Sequence, residues 1–309
     1  TGAVATVDVN KTLDSRPIAD IGRGLQGAVA GVNITIPTGE VGSDPLIKIR
    51  GQVGSISGNN TPLILLDNVE IPSIQMVNPN DVQSISVLKD AASSSIYGSK
   101  AAFGVILITT KSGAQSDKFE ISYSNNFSWQ DPDKKIEIGG IEALQYTLDA
   151  QTNRREPMPA GGFWRISPES LEKAIEWQNL YGGKVKWNDP VVYGRDWFYD
   201  GKDKYGYRLY DGAKAMIKNW TPTMTHNLSV NGKSGKTSYN IGLGYLDQSG
   251  MSKTAKKDDF KRYNASVSVT SEINKYITVR ASSIYSDRNK RYPGIGNTTA
   301  DPWLYLCLL

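Results

Sequence analysis

The sequence predicts a small α+β domain followed by long antiparallel strands of the kind that close into a barrel. Three observations carry this. Residues 82–111, VQSISVLKDAASSSIYGSKAAFGVILITTK, parse as strand, short helix and strand. Beyond residue 117 the pattern becomes a sustained alternation, with Phe119, Ile121, Tyr123, Phe127 and Trp129 set against Glu120, Ser122, Ser124, Asn126, Ser128 and Gln130, and it recurs over 238–245, 263–270 and 277–285. The connections between alternating segments are then short and long by turns: 233–236 and 272–275 are tight, 131–223 and 248–259 are long.

Taken in order, Ala3–Val9 reads as an edge strand and Ile18–Leu25 as a short helix. Val29–Ile36 and Leu46–Arg50 are strands separated by the turn region Pro37–Pro45. Gly51–Pro62 is a polar Gly/Ser/Asn loop leading to a strand at Leu63–Asp67. Val82–Leu88 alternates, whereas Val105–Thr110 is an almost unbroken apolar, β-branched run, as a strand covered on both faces should be. Between them Asp90 is placed to cap a helix over Ala91–Tyr97, with Gly98 as its left-handed stop and Gly104 allowing a close backbone approach. A Ser/Gly linker, Lys111–Asp117, closes this domain.

In the alternating region Asn, Ser, Thr and Gly occupy one face, and aromatics lie near the ends of the other. That fits a wall with a wet lumen and a lipid-facing exterior. A soluble β-sandwich with one solvated face is the rival, but it has no reason to alternate short and long connections. The connection 131–223 is too long to be structureless. It holds helices at Gly139–Ala150 and Ser167–Tyr181; the second starts Ser-Pro, carries Leu171, Ala174, Ile175 and Tyr181 as its apolar face, and ends at Gly182.

Composition excludes several classes. Lys+Arg 35 against Asp+Glu 31 gives a net charge of +4, too small and too dispersed for a nucleic-acid partner, and the mixed run Lys253–Arg262 reads as a solvated loop. No apolar run approaches the roughly 18 residues of a membrane helix, a test that is blind to barrels. One cysteine, Cys307, excludes an internal disulfide framework. With His226 the only histidine, neither a catalytic triad nor a zinc site assembles, and no enzyme, cofactor or metal is expected. Asp196, Asp200, Asp203 and Asp211 cluster loosely, but Lys202 and Lys204 stand where a calcium loop would want oxygens. The glycines at 22, 24, 27 and 31 lack a phosphate-binding fingerprint.

The stretch NPNDVQSISVLKDAASSSIYGSKAAFGVILITTK resembles the plug domain of TonB-dependent outer-membrane receptors, specifically the SusC/RagA-like nutrient transporters. GLQGAVAGVNIT, IKIRGQVGSISGNNTPLILLDNVEI and HNLSVNGKSGKTSYNIGLGYLDQSG resemble the same family in the same order. The resemblance implies an α+β plug domain over residues 1–115, followed over 116–309 by the first antiparallel transmembrane strands and long extracellular loops of a large β-barrel. It implies import of a bulky nutrient, an oligosaccharide or peptide, across the bacterial outer membrane. The partners it implies are a SusD-like surface lipoprotein capping the mouth and TonB, with ExbB and ExbD, pulling on a segment ahead of the plug. That segment is not legible in this sequence, and further strands beyond the five legible ones are expected to complete the barrel. The competing expectation is a soluble glycan-binding module without transport activity.

Candidate site residues follow, each with two open readings. Ser55, Ser57, Asn59 and Asn60 either touch substrate from a plug loop or merely connect strands. Arg50, in the I-R-G motif, either pairs with barrel carboxylates to hold the plug or is an ordinary surface arginine. Trp187 and Trp197, in a region dense in Trp and Tyr, either stack on sugar or build the loop's own core.

Overall fold

The computed structural model describes residues 4–8, 21–36, 40–50, 61–113, 117, 119–131, 140–153, 167–186, 188–202, 204–209, 214, 216–253 and 255–292. They fall into two compact units, one built from Thr1–Asp131, Asn219–Met251 and Lys257–Pro293, the other from Pro132–Lys218, Ser252–Lys256 and Gly294–Leu309.

The first unit begins with a sheet in the order β1 (Val4–Asp8), β6 (Val82–Leu88), β7 (Val105–Thr110), β4 (Leu63–Leu66) and β5 (Val69–Glu70). The predicted edge strand therefore does lie at an edge. All neighbours are antiparallel except β4 and β7, which run parallel. Ile85, Val87, Ile106 and Ile108 are fully buried beside Ile21 and Leu25 of the short helix α1 (Ile21–Leu25). At about 1.5–3 kcal/mol per buried aliphatic side chain, this is a core of the domain's own. β2 (Val32–Thr35) and β3 (Leu46–Ile49) form a separate antiparallel pair. β4 turns into β5 through Asp67 (φ 47°) and Asn68 (φ 70°), a two-residue hairpin that the Asp-Asn pair already permits.

Asp90 caps α2 (Ala91–Ser94), accepting from the Ser93 amide at 2.8 Å. The expected helix is shorter than its sequence suggests. The chain tightens into 3-10 turns over Ser95–Ala101, and Gly98 breaks them with φ 70° and ψ −158°, outside the left-handed helical region. Gly104, with φ 93°, is the close approach foreseen: a Cβ there would lie 2.7 Å from Ile49 Cδ1.

The rest of the first unit is one antiparallel meander, β8 (Glu120–Gln130), β11 (Thr221–Ser234), β12 (Thr237–Ser249), β13 (Asp259–Asn274) and β14 (Ile277–Arg291). We call this sheet the wall. Two-residue turns close β11–β12 and β13–β14, the first through Gly235 (φ 57°), the second with Asn274 accepting from the amides of Tyr276 and Ile277. The solvated-loop reading of Lys253–Arg262 is corrected here. Asp259 opens β13, and Phe260 and Arg262 are buried on its inner face, so the strand takes up the last four residues of a charged run that hides its start.

In the second unit α3 (Ile141–Asn153) packs against α4 (Pro168–Tyr181), and β9 (Trp197–Tyr199) pairs with β10 (Lys204–Gly206). Ser167 caps α4 as expected, accepting from the Ser170 amide. Its buried face is Leu171, Ala174 and Trp177, whereas Ile175 is exposed. Leu171 and Ala174 are buried as expected, and Trp177 completes the face in place of Ile175, its indole donating to the buried Asp196 at 2.9 Å.

Candidate functional site

Register turns the wall's inner face into a lattice of cross-strand rows. One row runs Thr225, Leu246, Arg262, Arg288; the next Asn227, Gly244, Asn264, Ser286; the next Ser229, Gly242, Ser266, Ile284. The N-terminal domain presents to them the segment between β5 and β6. There the 3-10 turns Ile74–Met76 and Pro79–Asp81, capped by Ser73 and Asn78, hold backbone carbonyls and short polar side chains in fixed directions.

The two surfaces match row by row. Arg288 donates to Ser73 Oγ at 2.8 Å and Arg262 to the Gln75 carbonyl at 3.0 Å. In the second row Asn264 donates to the Met76 carbonyl at 2.7 Å, and Asn78 donates to Asn227 Oδ1 at 2.9 Å. Ser266 donates to Asp81 Oδ2 at 2.9 Å in the third. On β12 the positions facing Asn78 and Asp81 are glycines: an added Cβ would stand 2.5 Å from Asn78 Nδ2 at Gly244 and 2.4 Å from Asp81 Oδ1 at Gly242. Glycine weakens a strand interior, so two glycines here are explained by what approaches them. Nearer the long connections Lys290 pairs with Glu40 at 2.7 Å, and Phe260 packs with Val41 and Leu246 over Gly42.

This dock is mainly hydrogen-bonded. Each direct bond is worth about 0.5–1.5 kcal/mol net, while the domain's aliphatic core faces chiefly inward. The joint is specific in its polar contacts, and Ile284 of the wall adds an apolar one by packing against that core.

Asp81 is the dock's half-buried carboxylate. Burial pushes its pKa above the ordinary 3.8, and the Ser266 hydrogen bond and the charges of Lys111 and Arg262 only partly offset this. A raised carboxyl binds its proton more readily docked than free. Its contribution is therefore full below pH 3.8 and lost as pH rises through the raised value. We predict that the urea midpoint for release of the docked domain, read by labelling of Met76→Cys in a Cys307→Ser full-length protein, climbs as pH falls from about 7 toward 4. Asp81→Asn should flatten that profile.

The sequence-predicted site residues are scattered by comparison. Ser55, Ser57, Asn59, Asn60 and Trp187 lie outside the described residues. Arg50 has φ 53°, donates its amide to Gly31 and exposes its side chain. Its charge assists Asp90, whose carboxyl is held below the ordinary range first by Ser93. Trp197 is half-buried, edge-on to Tyr193 at 5.0 Å and 5.6 Å below the Lys204 ammonium. Asp196 is no cation ligand: Arg195, Arg208, Trp177 and the Val192 amide occupy its oxygens, and the Arg195 hydrogen bonds lead in holding its pKa well below the ordinary value.

A small α/β domain seated by polar contacts against the inner face of an outward-apolar antiparallel wall defines a plug beside barrel strands. Residues 1–105 match the family profile described as TonB-dependent Receptor Plug Domain. TonB-dependent receptor P26 of Formosa agariphila is 29% identical over 308 residues, 97% of this chain and 26% of that protein. TonB-dependent receptor SusC of Bacteroides thetaiotaomicron is 27% identical over 254 residues, 79% of this chain and 20% of that protein. Among solved structures, the RagAB peptide importer in its closed-closed state superposes with a TM-score of 0.66 at 28% identity, covering 96% of this chain and 32% of that one. Residues 1–105 thus match a TonB-dependent receptor plug domain, and over most of its length the chain is similar to TonB-dependent receptors of the SusC and RagAB kind. It spans about a quarter of the length of the curated relatives it matches.

Proposed function

We propose that the full-length protein imports a bulky nutrient, an oligosaccharide or a peptide, across the bacterial outer membrane in a TonB-dependent manner, with residues 1–115 as the plug that gates the lumen and 116–309 supplying the first barrel strands and long extracellular loops. A SusD-like lipoprotein caps the mouth, and TonB with ExbB and ExbD drives plug movement. The likenesses to SusC and to RagAB, a peptide importer, support this reading and a role in transport without catalysis. Trp197, Trp187 and the serines and asparagines at 55–60 are proposed substrate contacts, and Arg50 a proposed contact of plug with barrel.

The observation that carries the proposal is the two-sidedness of the wall. Ser266 is 7% exposed toward the plug, while Val267, one residue on, is 42% exposed on the outer face. From Tyr263 to Ile273 that outer face covers eleven residues of β13, ten steps or about 33 Å along the strand. A tilt of roughly 45° brings this to about 23 Å, close to the apolar band of outer-membrane barrels. His226, Tyr245 and Tyr263 share one row at its long-connection edge, with ring centroids 6.3 Å and 5.0 Å apart, as an aromatic girdle would. A soluble glycan-binding module gains nothing from such a band.

Cysteine labelling of the full-length protein in lipid tests the wall. A lipid-soluble maleimide should modify Val267→Cys and spare Ser266→Cys. The reverse pattern would turn the polar face outward and end the membrane reading. Uptake of labelled peptides and oligosaccharides by cells with and without the gene then assigns the substrate.

A further inference from the structure

The dock ends abruptly. On its short-turn side the next two rows of the wall are Asn231, Asn240, Ser268, Ser282 and then Lys233, Ser238, Thr270, Arg280. Among the described residues Ser268, Ser282 and Arg280 make no hydrogen bond to the plug. Between them and the C-terminal ends of β4 and β7 lies a cleft of about 280 Å³, which Asp67, Thr109 and Ser112 line from the plug side and Ser268, Arg280 and Ser282 from the wall. At about 30 Å³ per water in the liquid, it has room for about nine waters or a small polar group of similar size.

The cleft holds one carboxylate and one guanidinium, and they differ in how far their hydrogen-bonding atoms are engaged. The Asp67 carboxylate is engaged within the plug, accepting from the Thr110 amide at 3.0 Å and the Thr110 hydroxyl at 2.6 Å. Arg280 is an exposed side chain whose Nε donates to Thr270 Oγ at 3.4 Å, and among the described residues no carboxylate pairs with it. The other inner-face cations of β13 and β14 all serve the dock, Arg262 and Arg288 through hydrogen bonds and Lys290 through Glu40. A guanidinium over hydroxyl-lined, water-sized space is suited to a carboxylate, which it meets with two parallel N–H donors.

We propose that this cleft is an anion-accepting compartment at the plug–wall boundary, in which Arg280 receives the carboxylate of a small solute, such as a peptide C-terminus or a uronic acid. The proposal deepens the import reading and rests on it only for the direction in which the solute travels. Binding in the cleft does not depend on transport.

Charged thiol reagents test it on the full-length protein in lipid vesicles, with Cys307→Ser and a single Ser282→Cys. Ser282 and Arg280 share a face two residues apart, about 7 Å along the strand. At that separation a unit charge in a wet cleft should favour an anionic methanethiosulfonate over a cationic one by about three- to tenfold, each rate normalised to a small free thiol. The preference should shrink with added salt, persist in Arg280→Lys and vanish in Arg280→Gln. An absent preference, one that survives Arg280→Gln, or a cysteine closed to both reagents would each overturn the proposal. Failure of the import reading would appear separately, as uptake unchanged by deleting the gene while the charge preference stands.

Discussion

Replacing Gly242 by alanine is expected to unseat the plug while leaving the wall folded. The new methyl carbon would stand 2.4 Å from Asp81 Oδ1 and 2.5 Å from Ser266 Oγ, so the plug must shift or the Asp81–Ser266 bond must break. Overpacking costs about 1–3 kcal/mol, and the lost hydrogen bond adds about 1 kcal/mol. A total of about 2–4 kcal/mol lowers the ratio of seated to unseated plug roughly 30- to 700-fold. Alanine in place of glycine should by itself help the strand, which separates damage to the dock from damage to the sheet. Conductance of the full-length protein in planar bilayers reads the result: Gly242→Ala should show frequent open events, and Leu243→Ala, on the exposed outer face of the same strand, should stay as closed as the parent. Equal leakage from both variants would mean that the glycine slot does not set the seating of the plug.

The second large effect is expected at Asp196, in the other compact unit. Its side chain is fully buried, and so is that of Arg208, which it faces at 3.5 Å; Arg195 approaches at 2.7 Å. Removing one partner of a buried pair leaves an uncompensated charge and typically costs 3–5 kcal/mol. Asp196→Ala also strands the Trp177 indole, buried in the face of α4. The outcome should be loss of α3, α4 and the β9–β10 hairpin as a cooperative unit, seen as rapid proteolysis of 140–209 and a shift of tryptophan emission toward that of solvated indole. The wall strands should remain protected. Protease resistance equal to that of the parent would show that this loop draws its order from elsewhere. Because the Asp196 pKa is depressed, its contribution holds above the ordinary 3.8 and fades only as pH falls through the lower folded value, so mild acid should spare this unit.

Much of the architecture is legible in the sequence alone. The alternation of Tyr239, Ile241, Leu243 against Asn240, Gly242, Gly244 fixed strand, face and wall, because side-chain direction in a strand depends only on parity. The caps Asp90 and Ser167 were readable for a similarly local reason, as each serves an amide three residues on. Phe260 and Arg262 were missed because charged neighbours hid the start of β13. In the sequence Asp196 is one member of a loose acidic cluster, because Arg208, twelve residues on, is brought to it only by the fold. The dock itself was only partly foreseen. The polar inner face was clear, but the pairing of Asn78 with Asn227 and of Asp81 with Ser266 was not, nor was the purpose of Gly242 and Gly244.

The sequence by itself determined what each segment is: a small α/β domain, a family resemblance centred on 82–111, strands with one wet and one apolar face, and turns of alternating length. These follow from neighbours one to four residues apart, where period, capping and turn chemistry act. Only the tertiary structure decided which groups meet. Asp81 and Ser266 are 185 positions apart, and their contact depends on strand register, in which a slip of one residue would turn Ser266 outward and put Val267 against the plug. Register is set by the summed pairing of five strands and by the domain that docks on their inner face, and no local pattern encodes that sum.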